Sequence, residues 1–139
     1  MPAKGQDLVA NSIFLAKLIG PIMLAVAIGI FVNGAVYRVL ADEFLRSRAL
    51  IYLSGLLLMT AGMALVLTHN VWVANWPVLI TILGWLAAIG GAIRIIAPQG
   101  TERVGRAVLK NEMNIKIAGA VWLVVGGILT LFGYITHLR

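Results

Sequence analysis

Few residues in this chain could do chemistry in an apolar setting. His69 and His137 each follow a threonine, in Thr68-His69 and Thr136-His137. Two imidazoles facing the same side of a membrane could hold a haem or a metal. A histidine at a helix end can equally mark the polar boundary of a membrane span. Arg94 and Lys17 stand beside long uncharged stretches. A buried cation can line an anion pathway, or, near the end of a span, extend its tip to the interface. Asn33 and Thr60 are isolated polar residues, expected to hydrogen-bond within a helical bundle. Met23, Met59 and Met63 fit flexible packing better than a copper site, which would want more methionines or an added histidine. There is no cysteine, so disulfides, thiolate metal sites and thiol redox chemistry are excluded. No nucleophile–base pair and no cofactor motif is present, so no catalytic residue, cofactor or metal set is assigned and the protein reads as a non-enzyme.

The elements that position these residues follow from the distribution of charge. The chain has 139 residues, 61% hydrophobic and 12% charged, whereas a soluble domain carries about 25% charged residues. No charge falls between Lys17 and Arg38, between Arg48 and Arg94, or between Lys116 and Arg139. A membrane helix needs roughly 20 apolar residues, so the outer stretches each fit one crossing and the middle one fits two. The run from His69 to Pro77 divides that middle stretch, with Pro77 suited to a first helical turn and Asn75 to its cap. Four spans are expected, near 12–35, 49–69, 77–97 and 115–136. The fold class is an all-α integral membrane four-helix bundle forming one domain over 1–139. Ala25-Val26-Ala27 resembles a signal-peptide cleavage site, but Lys17 interrupts the apolar core and hydrophobicity runs on to Val32, so the first helix is expected to be retained. No Asp or Glu lies within a span, which excludes a proton-coupled transporter of the small multidrug type.

The cations set an orientation. Eight of the eleven Lys and Arg residues lie in 33–48 and 94–116, while Lys4, Lys17 and Arg139 lie on the opposite side. The positive-inside rule then places the basic loops in the cytoplasm and both termini outside. Trp72, Trp76 and Tyr134 fall at the outer interface, and Tyr37 and Tyr52 near the inner one. The formal charge of +6 is mainly a topology signal that also suits an anionic leaflet. A nucleic-acid partner is not expected, because the cations are spread over two short loops without an aromatic platform. Both loops read as short amphipathic helices, with Asp42/Arg46, Glu102/Arg106 and Glu112/Lys116 each four residues apart.

The two halves of the chain are similar. Gly20 and Gly84, Gly55 and Gly119, and Gly62 and Gly126 are each 64 residues apart. Repeat 1, about 12–69, and repeat 2, about 77–136, each read as helix, basic loop, helix, which would make two tandem helical hairpins in the same orientation. Small residues also recur every seven positions: Gly20, Ala27 and Gly34; Gly55 and Gly62; Gly84 and Gly91; Gly119, Gly126 and Gly133. Such stripes let lipid-embedded helices approach closely, so Gly20, Gly55, Gly62, Gly84, Gly91, Gly119 and Gly126 are assigned to helix packing.

The most distinctive local text is His69-Asn70-Val71-Trp72, then Trp76-Pro77, Thr81, Gly84-Trp85, Arg94 and Pro98. Trp85 lies two turns into its span, deep for an interfacial aromatic, which fits packing against a neighbouring glycine or a partner. This string resembles a family of small, uncharacterised bacterial four-helix inner-membrane proteins, over about Asn11 to Tyr134. The resemblance implies the fold and a bacterial inner (plasma) membrane, and it implies no activity. The leading expectation is a non-enzymatic accessory or scaffold subunit of a membrane complex, partnered by the bilayer and by another membrane protein or by itself. Its contact residues would include Arg94, Trp85, His69, Asn70 and Trp72. The alternatives are a homo-oligomeric channel or carrier for a small solute or anion, lined by Arg94, Asn33 and threonines, and outward-facing haem or metal binding by His69 and His137.

Overall fold

The computed structural model describes residues 2–136, with side chains from residue 5 onward. It contains six helices: α1 (Pro2–Val32), α2 (Gly34–Arg46), α3 (Arg48–Thr68), α4 (Val78–Ile96), α5 (Pro98–Leu109) and α6 (Glu112–Ile135). There is no strand among the described residues. Four helices, α1, α3, α4 and α6, are long and apolar enough to cross a membrane. The protein is therefore an all-α, multi-pass membrane bundle.

Helix boundaries follow local chemistry. Asn33, at φ −129° and ψ 48°, breaks the chain between α1 and α2, and Tyr37 folds back against Gly29. Ser47 caps α3 by accepting the Leu50 N–H at 3.3 Å, and Asn111 caps α6 by accepting the Met113 N–H at 3.0 Å. Each satisfies one of the donors that a helix N-terminus leaves without an intrahelical partner. Pro98 opens α5 at its first turn, where the missing N–H costs nothing.

Two local expectations change. Asn75 does not cap the third span: its Oδ1 accepts the N–H of Trp76 at 2.8 Å. Pro77 occupies the cap position of α4. The first donors of α4 instead reach the carbonyls of Asn75, Trp76 and Pro77, each at 3.1 Å. The first helix does not begin near residue 12, because α1 runs unbroken from Pro2 to Val32. At about 1.5 Å per residue its 31 residues exceed the hydrocarbon thickness of about 30 Å. Residues 5–11 are accordingly exposed beyond the bundle.

The most extensive packing joins α1 to α6 and α3 to α4, both antiparallel. Each pair thus combines one helix from each half of the chain, so neither half folds as the separate hairpin that its element order suggests. The pairs meet along a narrow contact between α1 and α4, where Ala16, Met23, Ile80 and Leu129 form the buried core. One end of the bundle carries the 69–77 turn, and the other carries α2 and α5. We call these the turn end and the basic end.

Both pairs close on glycine, and in the same register. A methyl on Gly62 would collide with the backbone of Ala87 and Ala88, and one on Gly126 would press on Met23 and Leu24 at 2.9–3.0 Å. Gly55 faces Arg94 and Ile95, while Gly119 faces Ile30 and Phe31. Gly84 faces Leu65 and Val66, and Gly20 faces Thr130. Gly91 lies against Met59 and Gly55. Every contact of the first pair named here that has a counterpart in the second maps onto it by a shift of 64 residues.

At the basic end α2 and α5 are docked together. Leu45 is buried against Gly105, and Arg106 reaches Asp42 at 3.6 Å. The Asp42–Arg46 and Glu102–Arg106 pairs form as the spacing suggests, at 2.8 and 3.2 Å. Glu112 does not pair with Lys116. It binds Arg38 at 3.2 Å, and Arg38 also donates to the Leu109 carbonyl at 2.7 Å. The cation that reaches Glu112 comes from α2 because the chain break at Asn33 brings α2 over the start of α6.

Candidate functional site

At the turn end three buried polar residues converge. His69 and Thr81 are fully buried and Ser12 nearly so. His69 follows the last residue of α3, and its backbone N–H still reaches the Leu65 carbonyl at 2.7 Å. That bond directs the imidazole inward, between α1 and α4. Its Nε2 lies 2.6 Å from Ser12 Oγ, and its Nδ1 lies 3.2 Å from Thr81 Oγ1. Ser12 donates to the Leu8 carbonyl at 2.8 Å. Thr81 Oγ1 accepts the Val71 N–H at 3.1 Å and lies 3.0 Å from the Val71 carbonyl.

Proton counting gives this cluster a direction. Ser12 gives its hydrogen to Leu8, so its oxygen accepts Nε2–H. The hydrogen of Thr81 has two acceptors, the lone pair on Nδ1 and the Val71 carbonyl, while its oxygen accepts the Val71 N–H. A neutral imidazole is engaged at both ring nitrogens when Thr81 donates to Nδ1. Burial pushes the His69 imidazole below its ordinary pKa, partly countered by a backbone hydrogen bond, so the neutral form is the one held at pH 7. Both ring nitrogens are engaged. A metal or haem iron would have to displace one hydroxyl to reach a lone pair. The second histidine of that proposal, His137, lies outside the described residues. Among the described residues no group of three or more His, Asp or Glu could hold a metal ion.

His69 is the residue of that cluster singled out by the sequence for ligation, and Thr81 belonged to the distinctive motif. Ser12 was missed. Its signal was spacing: Ser12, Ala16, Gly20, Met23 and Ala27 are all buried along one face of α1, so the small-residue stripe continues about two turns past Gly20. In the shared 64-residue register, the counterpart of His69 is Gly133, which faces Ala16 and Lys17 as His69 faces Thr81. His69 and His137 are not equivalent positions.

The remaining residues fall elsewhere. Asn70 accepts the indole N–H of exposed Trp72 at 2.7 Å, which fixes the turn. Trp76 stacks on Phe132 of α6 at 5.7 Å, and Lys17 sits 5.6 Å over the Tyr134 ring. Trp85 is 40% exposed on the outer face of α4 rather than in the core. Thr60 is also on an outer face and returns its hydroxyl to the Leu56 carbonyl at 2.8 Å. Arg94 is at the opposite end from His69. It donates to Ser54 at 3.3 Å, and its guanidinium lies 5.8 Å over Phe44 of α2, so it ties α4 to α3 and α2. Asn33 is exposed at the α1–α2 break. No family model, curated protein or solved structure matches the chain, so the site rests on its own geometry.

Proposed function

We propose that the protein is a non-enzymatic accessory or scaffold subunit of a bacterial inner-membrane complex, with its basic end in the cytoplasm. The observation that carries this is the α2–α5 platform. Two amphipathic helices outside the spans are fixed to each other by Leu45 on Gly105 and by Arg106 on Asp42, and to the spans by Arg38 on Glu112 and Arg94 over Phe44. A solvated loop would not need such anchoring. A rigid surface beside a membrane does, because a partner binds more tightly to a preorganised face. The excess of Lys and Arg at this end supports the cytoplasmic assignment.

We also propose that the two halves, about 12–69 and 77–136, descend from one helix–basic helix–helix unit. The shared register of the two glycine interfaces supports a duplication whose copies exchange partners across a pseudo-two-fold axis along the membrane normal. The channel reading gains nothing from Arg94, whose guanidinium is turned to Ser54 and Phe44.

The test is purification in mild detergent at native expression, followed by native mass spectrometry of the intact particle. A second protein in fixed stoichiometry is the expected result, and substitutions at exposed Arg46 and Arg103 should release it. A particle containing only this chain would overturn the accessory reading.

A further inference from the structure

The basic end holds two adjoining cavities, of about 560 and 290 Å³, that share Ala35 and Arg38 in their walls. The larger is bordered by Asp42, Arg106 and Lys110. The smaller is bordered by Ile30 and Phe31 of α1 and by Glu112, Ile115 and Lys116 of α6. We propose that this double cavity is a binding site for the phosphate headgroup of an anionic phospholipid, with the upper part of an acyl chain against Ile30, Phe31 and Ile115. The proposal goes beyond the scaffold reading and does not depend on a protein partner.

Charge comes first. The walls contribute Arg38, Arg106, Lys110 and Lys116 against Asp42 and Glu112. The two arginines are held in ion pairs, Arg38 with Glu112 and Arg106 with Asp42 and Glu102. Lys110 and Lys116 make no hydrogen bond or ion pair among the described residues. The structure therefore neutralises its own carboxylates and leaves two ammonium groups, with three donors each, for an outside anion.

Depth then selects the kind of anion. Ile30 and Phe31 lie in the last turn of the α1 span, and Ile115 in the first turn of α6. The site thus faces water with cations and hydrocarbon with branched and aromatic side chains. A free phosphate would use only the first half of it, whereas an anionic phospholipid uses both. Basic pockets between spans at this level have the composition that binds such headgroups.

The apolar half of the site lies at one pair of spans, α1 and α6. In the shared register Arg94 stands where Ile30 stands here. At the α3–α4 pair that position is occupied by the guanidinium of Arg94 lying over Phe44. At the α1–α6 pair the smaller Ile30 leaves the space open.

The experiment uses the full chain in phosphatidylcholine nanodiscs doped with phosphatidylglycerol, with retained lipid counted by native mass spectrometry. Wild type should retain phosphatidylglycerol over phosphatidylcholine. The Lys110→Gln/Lys116→Gln double variant should lower that retention about tenfold or more, since each cation near a membrane surface contributes measurably to anionic-lipid affinity. Both lysines are exposed, so the variant should fold and elute as wild type does. Ala35→Phe should lower retention with every charge intact, because Ala35 borders both cavities, while Lys17→Gln at the turn end should leave it unchanged. Equal retention by wild type and the double variant overturns the site. Retention lost in the double variant but kept in Ala35→Phe reduces the effect to surface charge and overturns the cavity. Displacement of the lipid by inorganic phosphate at millimolar concentration assigns the site to a soluble phosphate and overturns the lipid assignment.

Discussion

His69 shows how much of a residue's role depends on its surroundings. As a histidine at the end of a span it could have been a boundary marker or a ligand. In place, it is a buried neutral imidazole bridging Ser12 of α1 and Thr81 of α4, and so it joins the two helix pairs at the turn end. Its threonine neighbour invited a pairing with His137, but Gly133 holds the corresponding position, one helical turn earlier. Residue identity alone does not reveal register, and Ser12 carried no signal beyond its place on a stripe of small residues. Two predictions follow from the geometry. His69→Ala removes both bridges, and by the usual worth of such bonds in membrane bundles should cost about 1–3 kcal/mol, read as a lower thermal midpoint in detergent. The second concerns pH. Burial lowers the folded-state pKa of His69 below the ordinary value of about 6.5. The unfolded chain then binds a proton that the folded chain resists, so this contribution is intact above that value and is lost as pH falls below it. Midpoints measured from pH 8 down to pH 5 should decline for wild type, and the difference between wild type and His69→Gln should shrink toward acid. A difference that stays constant would mean that the imidazole is solvated.

Elements were the most legible level. Three uncharged stretches, a divider rich in Asn and Trp within the longest, and seven-residue glycine spacing led directly to four spans with close-packing faces, because lipid imposes a length and a composition on any helix that crosses it. The short amphipathic helices were visible as well, although Glu112 turned to Arg38 rather than to Lys116. Spacing along one helix cannot anticipate a cation delivered by another element. The glycine assignments can be tested separately from composition. Gly62 lies against the backbone of Ala87 and Ala88, where nothing flexible can move aside, whereas nothing lies within 4 Å of a methyl on Gly127. Gly62→Leu should force α3 and α4 apart and cost about 1–3 kcal/mol or more, while Gly127→Ala should be neutral. The readout is the midpoint of unfolding in mixed detergent and denaturant micelles. Equal loss for the two variants would show that any added bulk in these spans is harmful and would remove the close-approach argument.

At the scale of the whole molecule, the sequence pattern was ambiguous about which helices pair. All four spans carry small-residue stripes of the same period, so each can receive any other, and halves with the same element order read as two tandem hairpins, whereas the structure pairs α1 with α6 and α3 with α4. Connection length resolves this. The 69–77 turn is too short for anything but antiparallel neighbours, which fixes α3 on α4. The helical connections α2 and α5 are long enough to carry the chain across the basic end, which leaves α1 and α6 to close on each other in the matching register. The absence of cysteine makes this pairing directly testable. A Cβ on Gly119 would lie 3.5 Å from the Cβ of Ile30, at the near edge of the separation of about 3.5–4.5 Å that a disulfide spans. Mild oxidation of an Ile30→Cys/Gly119→Cys variant in native membranes should therefore produce a cross-linked monomer that migrates faster than the reduced chain on a denaturing gel. No cross-link would separate α1 from α6 and leave the shared register without a structural basis. A cross-linked dimer would mean that α1 of one copy pairs with α6 of another. The two halves would then exchange partners between molecules rather than within one, and the basic-end cavity between α1 and α6 would become a site built by two chains.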